Sequence, residues 1–199
     1  MFNLPNDWEQ ITPNDIIRKK PYPASYICKI IRAEIQETSR AKKLILDLDI
    51  DDGEFKGFFS DEFNRRKARN ADSAWWGLQF SVPINFDEPN HGSFFKQLCK
   101  RLAVYLELSN PHFSFTNPDG RVDERRLVGK RIDALIYAVE KESGNRLFTN
   151  FRVDSVFTLQ AVEEGTCPES WIVGIDGKRR RPDAPPPDTA VEEELDIPF

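Results

Sequence analysis

The sequence predicts a mainly β domain that contains one long helix and is followed by an acidic tail. Between about residues 21 and 165 most apolar residues recur with the spacing of strands, and one segment in the middle changes to helical spacing. The last eighteen residues contain six acidic residues and no basic ones, and they open with several prolines. We therefore divide the chain into an N-terminal extension (1–20), a domain (21–165), a basic linker (166–181) and a disordered tail (182–199).

The composition is typical of a soluble protein, with 39% hydrophobic residues and a mean hydropathy of -0.55. The chain has no long apolar run, and its start, "MFNLPNDWEQ", lacks the basic and then apolar order of a signal peptide. We therefore expect a cytoplasmic protein that makes no membrane contact. The three cysteines are far apart, and no C-x-x-C or Cys/His pair has ligand spacing, so we predict no structural zinc and no cofactor.

The net charge of -5 is concentrated in the tail. Because the tail holds six of the 33 acidic residues and none of the 28 basic ones, the rest of the chain is close to neutral. A body that binds nucleic acid is therefore not excluded by the acidic composition.

Two segments predict the first strands. The segment "SYICKIIRAEIQE" (25–37) is a β-branched run that is apolar on both sides, as in a partly central strand. The segment "KKLILDLDIDDGEFKGFFS" (42–60) alternates and contains Asp52-Gly53, which predicts a tight hairpin. The predicted facing pairs are Ile50 with Phe55, Leu48 with Gly57, Leu46 with Phe59 and, on the outside, Asp49 with Lys56.

The segment "SFFKQLCKRLAVYLELSN" (93–110) predicts a helix that begins at the N-cap Ser93 and ends at Asn110-Pro111. Its apolar stripe comprises Phe95, Leu98, Leu102, Tyr105 and Leu106. A second long hairpin, turning at Gly144-Asn145, follows. The predicted inward pairs are Ala138 with Phe151, Ile136 with Val153 and Ile132 with Phe157, and the outward pairs are Tyr137 with Arg152 and Lys141 with Phe148.

Three strands, a helix and two strands are the order of a five-stranded OB-fold barrel with one helix between strands three and four. An unrelated α+β sandwich would produce much the same pattern, so periodicity alone leaves both architectures open.

Few residues point to catalysis. The segment "DLDIDDGE" (47–54) crowds four aspartates, but Asp52 and Phe58 stand where a calcium loop needs glycine and glutamate, so we interpret it as a solvated hairpin face. His91 and His112 lie in polar loops with no paired nucleophile at a recognisable spacing. We therefore predict a protein that is not an enzyme and binds no metal.

Basic and aromatic residues lie close together in two places. The segment "FNRRKARNADSAWWG" (63–77), predicted to be a loop or strand before the helix, joins four cations to a tryptophan pair, and the second hairpin adds outward-facing rings and cations. Cations attract phosphates and flat rings stack on bases, so the pattern favours binding of single-stranded DNA. The candidate residues are Arg65, Arg66, Lys67, Arg69, Trp75, Trp76, Tyr137, Lys141, Phe148 and Arg152. The competing interpretation is that one tryptophan packs in the core and the basic run is a solvated face.

A basic cluster, "GKRRRP" (177–182), precedes the tail. It is interpreted either as a solubilising linker or as an auxiliary phosphate contact or docking site for the tail.

The OB-like body, the proline-rich segment and the final Asp196-Ile197-Pro198-Phe199 together resemble a bacterial-type single-stranded DNA-binding protein. The layout of the body, with "GFFSDEFN" (57–64) after the first hairpin and a long helix before "GKRIDALIYAVE" (129–140), is more similar to such proteins encoded by bacteriophages. The resemblance implies a protein that coats and protects single-stranded DNA during replication or recombination in the cytoplasm of a bacterial host. It also implies that Phe199 enters an apolar pocket of a host or phage replication or repair enzyme, while the acidic run competes with DNA for the basic groove.

The alternative function is a protein-protein adaptor on the same fold, which uses the tail to capture or inhibit host repair enzymes without coating DNA. Binding to oligo(dT) separates the two functions. The sequence leaves the oligomeric state open, including a homo-oligomer.

Overall fold

The computed structural model describes residues 19–38, 41–87, 89–143 and 146–182. In these ranges seven strands form one sheet: β1 (Ala24–Glu37), β2 (Lys42–Ile50), β3 (Gln79–Pro83), β4 (Arg131–Ser143), β5 (Arg146–Phe157), β6 (Ile172–Val173) and β7 (Arg179–Arg180). The α-helices of the same ranges are α1 (Phe58–Arg69), α2 (Gly92–Ser109) and α3 (Leu159–Glu163). The predicted turn at Gly144-Asn145, nearly all of the N-terminal extension, and the tail with its tip Asp196 to Phe199 lie outside the described residues.

The structure confirms the prediction of a mainly β protein with a long helix, α2, between strands three and four. The prediction of five strands and one helix is wrong, because the described residues contain seven strands and three α-helices. The order of the sheet is β3-β2-β1-β4-β6-β7, and β5 pairs with the other edge of β4. The buried residues of β1, β2 and β4 form one core with α2 and the aromatic rings that begin α1. The sheet does not close into a barrel, because no ladder joins β3 to β5 in the described part of the chain.

The predicted hairpin at Asp52-Gly53 is wrong, because the chain enters helix α1 instead of a returning strand. The buried carboxylate of Asp49 accepts hydrogen bonds from the backbone amides of Phe59 (2.9 Å) and Ser60 (3.1 Å) and from the Ser60 hydroxyl. It thereby satisfies amide donors that would otherwise lack partners at the helix start. The edge of β2 that the hairpin would have occupied pairs with β3, so none of the four predicted facing pairs forms.

The aspartates of β2 are therefore not a solvated face, as the sequence had suggested. Asp47 is also buried, and it accepts hydrogen bonds from Arg32 Nε (2.6 Å) on β1 and Gln79 Nε2 (2.7 Å) on β3. The Asp47 hydrogen bond raises the pKa of Arg32. This carboxylate ties three neighbouring strands together, because a buried charge is tolerated only when it is paired.

Helix α2 confirms the helical prediction and its apolar stripe, with Leu102 and Leu106 buried. It begins two residues earlier than predicted: His91, not Ser93, is the N-cap. Gly92 is required there, because a Cβ atom would lie 2.3 Å from the carbonyl oxygen of Phe86. At the other end, the Asn110 side chain bonds both the amide and the carbonyl of Arg131, which joins the helix end to the start of β4.

The second hairpin has four of its five predicted pairs. The confirmed pairs are Ala138 with Phe151, Ile136 with Val153, Tyr137 with Arg152 and Lys141 with Phe148. The fifth is wrong by one residue: Asp133, not Ile132, lies opposite Phe157. A bulge on β5 shifts the register: Ser155 pairs with Leu135 and Val153 pairs with Ile136, so Asp154 has no partner on β4.

The sheet extends beyond residue 165 into the segment predicted to be a basic linker. Ile172 of β6 lies parallel to Ala138 of β4, and Arg180 of β7 pairs with Ile172. The amide of Ala138 donates to the carbonyl of Trp171 (3.2 Å), so this small hairpin is joined directly to β4. Among the described helices, none is long and apolar enough to cross a bilayer.

Candidate functional site

The two adjacent tryptophans before β3 have different surroundings. Trp76 is partly buried: its indole nitrogen donates to the carbonyl of Leu48 (2.8 Å), and its ring lies 5.3 Å from that of Phe63. Trp75 is 52% exposed. Trp76 therefore anchors the loop, whereas Trp75 offers a ring to a ligand.

The exposed ring of Trp75 is held in place by Arg66. The Arg66 guanidinium lies 4.0 Å from the ring centroid and also donates to the Trp75 carbonyl (3.1 Å). Gly77 lets the loop pass close to α1, because a Cβ atom at this position would lie 3.0 Å from the ring of Phe59. A cation over the ring and a close turn therefore fix Trp75 without burying it.

The basic run lies on helix α1, and the prediction of a loop or strand for it is wrong. Arg66, Lys67 and Arg69 fall in the last turn, where positive charge complements the helix dipole. Glu62 lies 3.3 Å from Arg65 and 3.6 Å from Arg66, so one carboxylate offsets part of the charge. Because Asp49 fixes the start of the helix, it also sets the position of these cations.

A first cleft, with a volume of about 510 Å³, separates α1 from the β4–β5 hairpin. Arg65, Arg66, Trp75 and Phe148 line it, together with Lys20. Phe148 is 46% exposed. The cleft thus places two exposed rings beside three cations.

A second cleft, of about 580 Å³, lies between β3 and β5. It is lined by Trp75, Trp76, Tyr137 and Arg152, and by Lys43 from β2. Trp75 borders both clefts, so they form one continuous surface, which we call the Trp75 groove.

The Trp75 groove brings together seven of the ten predicted binding residues: Arg65, Arg66, Trp75, Trp76, Tyr137, Phe148 and Arg152. Lys67, Arg69 and Lys141 are exposed but line neither cleft. Of the residues that the structure describes, five lysines or arginines and a single carboxylate, Glu62, line the groove, so the charge of this lining is positive.

Sequence reasoning missed several residues of this region. Lys20 and Lys43 line the groove. They were missed because they lie outside the basic run that the sequence singled out and neither is adjacent to an aromatic residue. Trp171 was also missed, although its ring stacks on Tyr137 with centroids 5.3 Å apart and planes at 23°. A tryptophan followed by two β-branched residues was the available signal for a ring at the start of a strand.

A separate buried polar group, Asp133, belongs to β4. The Asp133 carboxylate accepts hydrogen bonds from Ser25 Oγ (3.0 Å) and Cys167 Sγ (3.3 Å). Burial raises the pKa of Asp133, although these hydrogen bonds act in the opposite direction. Within the described ranges, no cluster of three His, Cys, Asp or Glu residues is arranged to hold a metal ion.

No protein-family model matches the chain, and no curated protein matches it significantly.

Proposed function

We propose that this protein binds single-stranded DNA with little sequence preference, and that the Trp75 groove is the contact surface. The observation that carries the proposal is the exposed ring of Trp75, held by Arg66 and bordered on both sides by further rings and cations. Large exposed rings beside positive charge need an explanation other than packing. Stacking on bases and attraction of phosphates supply that explanation.

The position of the groove supports the proposal. In OB folds, oligonucleotides lie across strands two and three, between the loop joining strands one and two and the loop joining strands four and five. The second cleft is lined by residues of β2, β3 and the β4–β5 hairpin. We therefore propose that the five main strands are an OB-type barrel with an open seam between β3 and β5, and that DNA lies along this seam.

The groove offers stacking rings and cations rather than an element that reads base edges. Such a surface tolerates any sequence, because every base has a flat face and every nucleotide a phosphate. The proposed biological role is the coating and protection of single-stranded DNA during replication or recombination, as in the phage-encoded proteins that the sequence resembles.

Binding of labelled oligo(dT), followed by fluorescence anisotropy over a range of salt concentrations, tests the proposal. With about four phosphates neutralised, log K should fall with log salt with a slope of roughly -3. Duplex DNA of the same length serves as the control and should bind more weakly, because its bases are not free to stack. An affinity that does not depend on salt, or a preference for the duplex, would exclude this function.

We further propose that the segment Asp196-Ile197-Pro198-Phe199 recruits a replication or repair enzyme. Phe199 supplies an apolar ring and Asp196 a carboxylate, and the two groups suit an apolar pocket with a basic rim. We expect Phe199→Ala to abolish partner binding and to leave DNA affinity unchanged, because the acidic run remains. Pull-down of bacterial replication and repair enzymes, with anisotropy in parallel, measures both effects, and a partner retained by the variant contradicts the proposal.

A further inference from the structure

A stacked row of side chains continues from the second cleft across the outer face of the sheet. The ring of Tyr137, which lines the cleft, stacks on Trp171, and the guanidinium of Arg179 lies 4.5 Å from the Trp171 ring centroid. The cross-strand neighbour of Tyr137 on β5 is Arg152, which lines the same cleft. The row therefore runs from Arg152 through Tyr137 and Trp171 to Arg179.

Strand alternation explains why these four side chains share one face. Ile172 pairs with the buried residue Ala138, and Arg180 pairs with Ile172. Their sequence neighbours Trp171 and Arg179 consequently point to the opposite face, where Tyr137 lies. Neighbouring strands are spaced by about 4.8 Å, so crossing from β5 to β7 places Arg179 roughly 14 Å from Arg152.

Arg179 differs from the other cations of the basic cluster 178–181. Lys178 lies 3.9 Å from Asp176, Arg180 lies 2.5 Å from Glu140, and Arg181 lies 3.1 Å from Glu169. Arg179 is exposed and lies against a ring. A guanidinium on a ring keeps its in-plane N–H donors for an anion. The cluster thus contains three cations facing carboxylates and one cation presented on an aromatic platform.

The backbone that carries the Trp171 ring is fixed to the sheet. The carbonyl of Trp171 accepts from Ala138, and the hydroxyl of the buried Ser170 donates to the carbonyl of Ile136. The turn of the small hairpin is closed by the amide of Gly174, which donates to the carbonyl of Lys178 (3.0 Å). Because Trp171 is held in this way, Arg179 has a defined place at the end of the row.

We propose that single-stranded DNA leaves the second cleft across Tyr137 and that Arg179 pairs with a phosphate beyond the cleft. Trp171 is the positioning residue that holds the guanidinium for this contact. The inference rests on the proposed function and extends its contact surface to the β6–β7 hairpin. It assigns Arg179 a phosphate contact. The sequence alone left open whether the basic cluster makes such a contact or only keeps the linker soluble.

The proposal predicts an effect that depends on DNA length. Site sizes of OB folds range over about 4–16 nucleotides, so oligo(dT) of about 5 and about 15 nucleotides serve as short and long probes. We expect Arg179→Ala to leave the affinity for the short probe unchanged. For the long probe it should reduce the salt slope by about 0.7, so that the ratio of wild-type to variant affinity falls by about 2.6-fold between about 50 and about 200 mM salt.

Two variants serve as controls in the same anisotropy assay. Arg179→Lys keeps the charge and should retain most of the salt slope with the long probe. Lys178→Ala removes a neighbouring exposed cation that faces Asp176, and it should leave the slope unchanged. The melting temperature of each variant checks that the substitution in the β6–β7 hairpin has not destabilised the whole protein.

The outcomes separate the inference from the proposed function. Wild-type protein that binds neither probe contradicts both. Wild-type binding with the expected slope, together with an Arg179→Ala variant that behaves like wild type at both lengths, overturns the inference alone. An equal loss with both probes also overturns it, since Arg179 would then act within the cleft.

Discussion

The Trp75 groove and a cavity beside the end of β1 are both lined by rings and charges, but the charges that predominate have opposite signs. Among the described residues, the carboxylates Glu37, Asp87 and Glu124 line this cavity of about 720 Å³, together with one cation, Lys42, which lies 3.1 Å from Glu37. The two clefts of the groove are each smaller, and cations predominate in them. Cations attract a phosphate backbone and carboxylates repel it. The sign of the charge therefore favours the groove over the cavity as the nucleic-acid candidate.

Their rings differ as well. In the cavity Phe86 is 37% exposed, and the charges around it are mainly negative. In the groove Trp75 is more exposed and lies against a guanidinium. An exposed ring is common on protein surfaces, so exposure by itself indicates little. An exposed ring that a cation holds in place on a positively charged surface is a more specific indication of a nucleic-acid site than exposure alone.

The largest effect is expected at Asp49, because this residue fixes α1 and hence one wall of the groove but not the cavity. Asp49→Ala removes a buried carboxylate and its hydrogen bonds to the start of α1. We expect the free energy of unfolding to fall by about 2–4 kcal/mol and oligo(dT) affinity to fall with it. Urea denaturation measures the first effect. Asp52→Ala, at an exposed neighbouring carboxylate, is the control and should stay within about 0.5 kcal/mol of wild type.

The next largest effect distinguishes the rings of the two regions. Trp75→Ala should weaken oligo(dT) binding by about 1–3 kcal/mol without unfolding the protein, since the ring packs on the surface. Phe86→Ala, in the cavity, should leave the affinity unchanged. Anisotropy titrations at one salt concentration compare the two variants directly. Equal losses would remove the distinction between the groove and the cavity.

A smaller effect distinguishes the cations. Arg152→Ala should reduce the slope of log K against log salt by about 0.7, because one phosphate contact is lost. Lys42→Ala should leave this slope unchanged, because Lys42 lies in the cavity beside Glu37. The salt series needed for the proposed function also provides this measurement. A reduced slope for Lys42→Ala alone would transfer the DNA site to the cavity.

The smallest effect on binding is expected at Asp133, which lines neither region. Its raised pKa means that the folded state holds the proton more tightly than the unfolded state. The stability that the group contributes is therefore present below the unfolded pKa of about 3.9 and is lost as pH rises through the folded-state pKa. The amide in Asp133→Asn cannot ionise, so the melting temperature of the variant relative to wild type should increase with pH. DNA affinity should not change, and a flat difference in melting temperature would contradict the argument.

Local pattern was sufficient for some elements. The spacing of Leu98, Leu102 and Leu106 predicted α2 because helical periodicity depends only on neighbours three and four residues apart. The register of Tyr137 opposite Arg152 was likewise predictable, because a two-residue turn sets the pairing of the strands that it joins. The bulge at Asp154 of β5 was not predictable, since one unpaired residue leaves the alternation on either side of it intact.

By itself, the sequence determined the mainly β class, the long helix and the collection of cations and rings from which a DNA-binding surface can form. Only the tertiary structure decided that residues 58–69 are a helix, because Asp49 caps that helix and β3, distant in sequence, occupies the edge of β2. It also decided which tryptophan is exposed, because the carbonyl of Leu48 and the ring of Phe63 hold Trp76 and not Trp75. Local periodicity is set by neighbours along the chain, whereas the competition for an unpaired strand edge or a buried acceptor is settled by residues that meet only on folding.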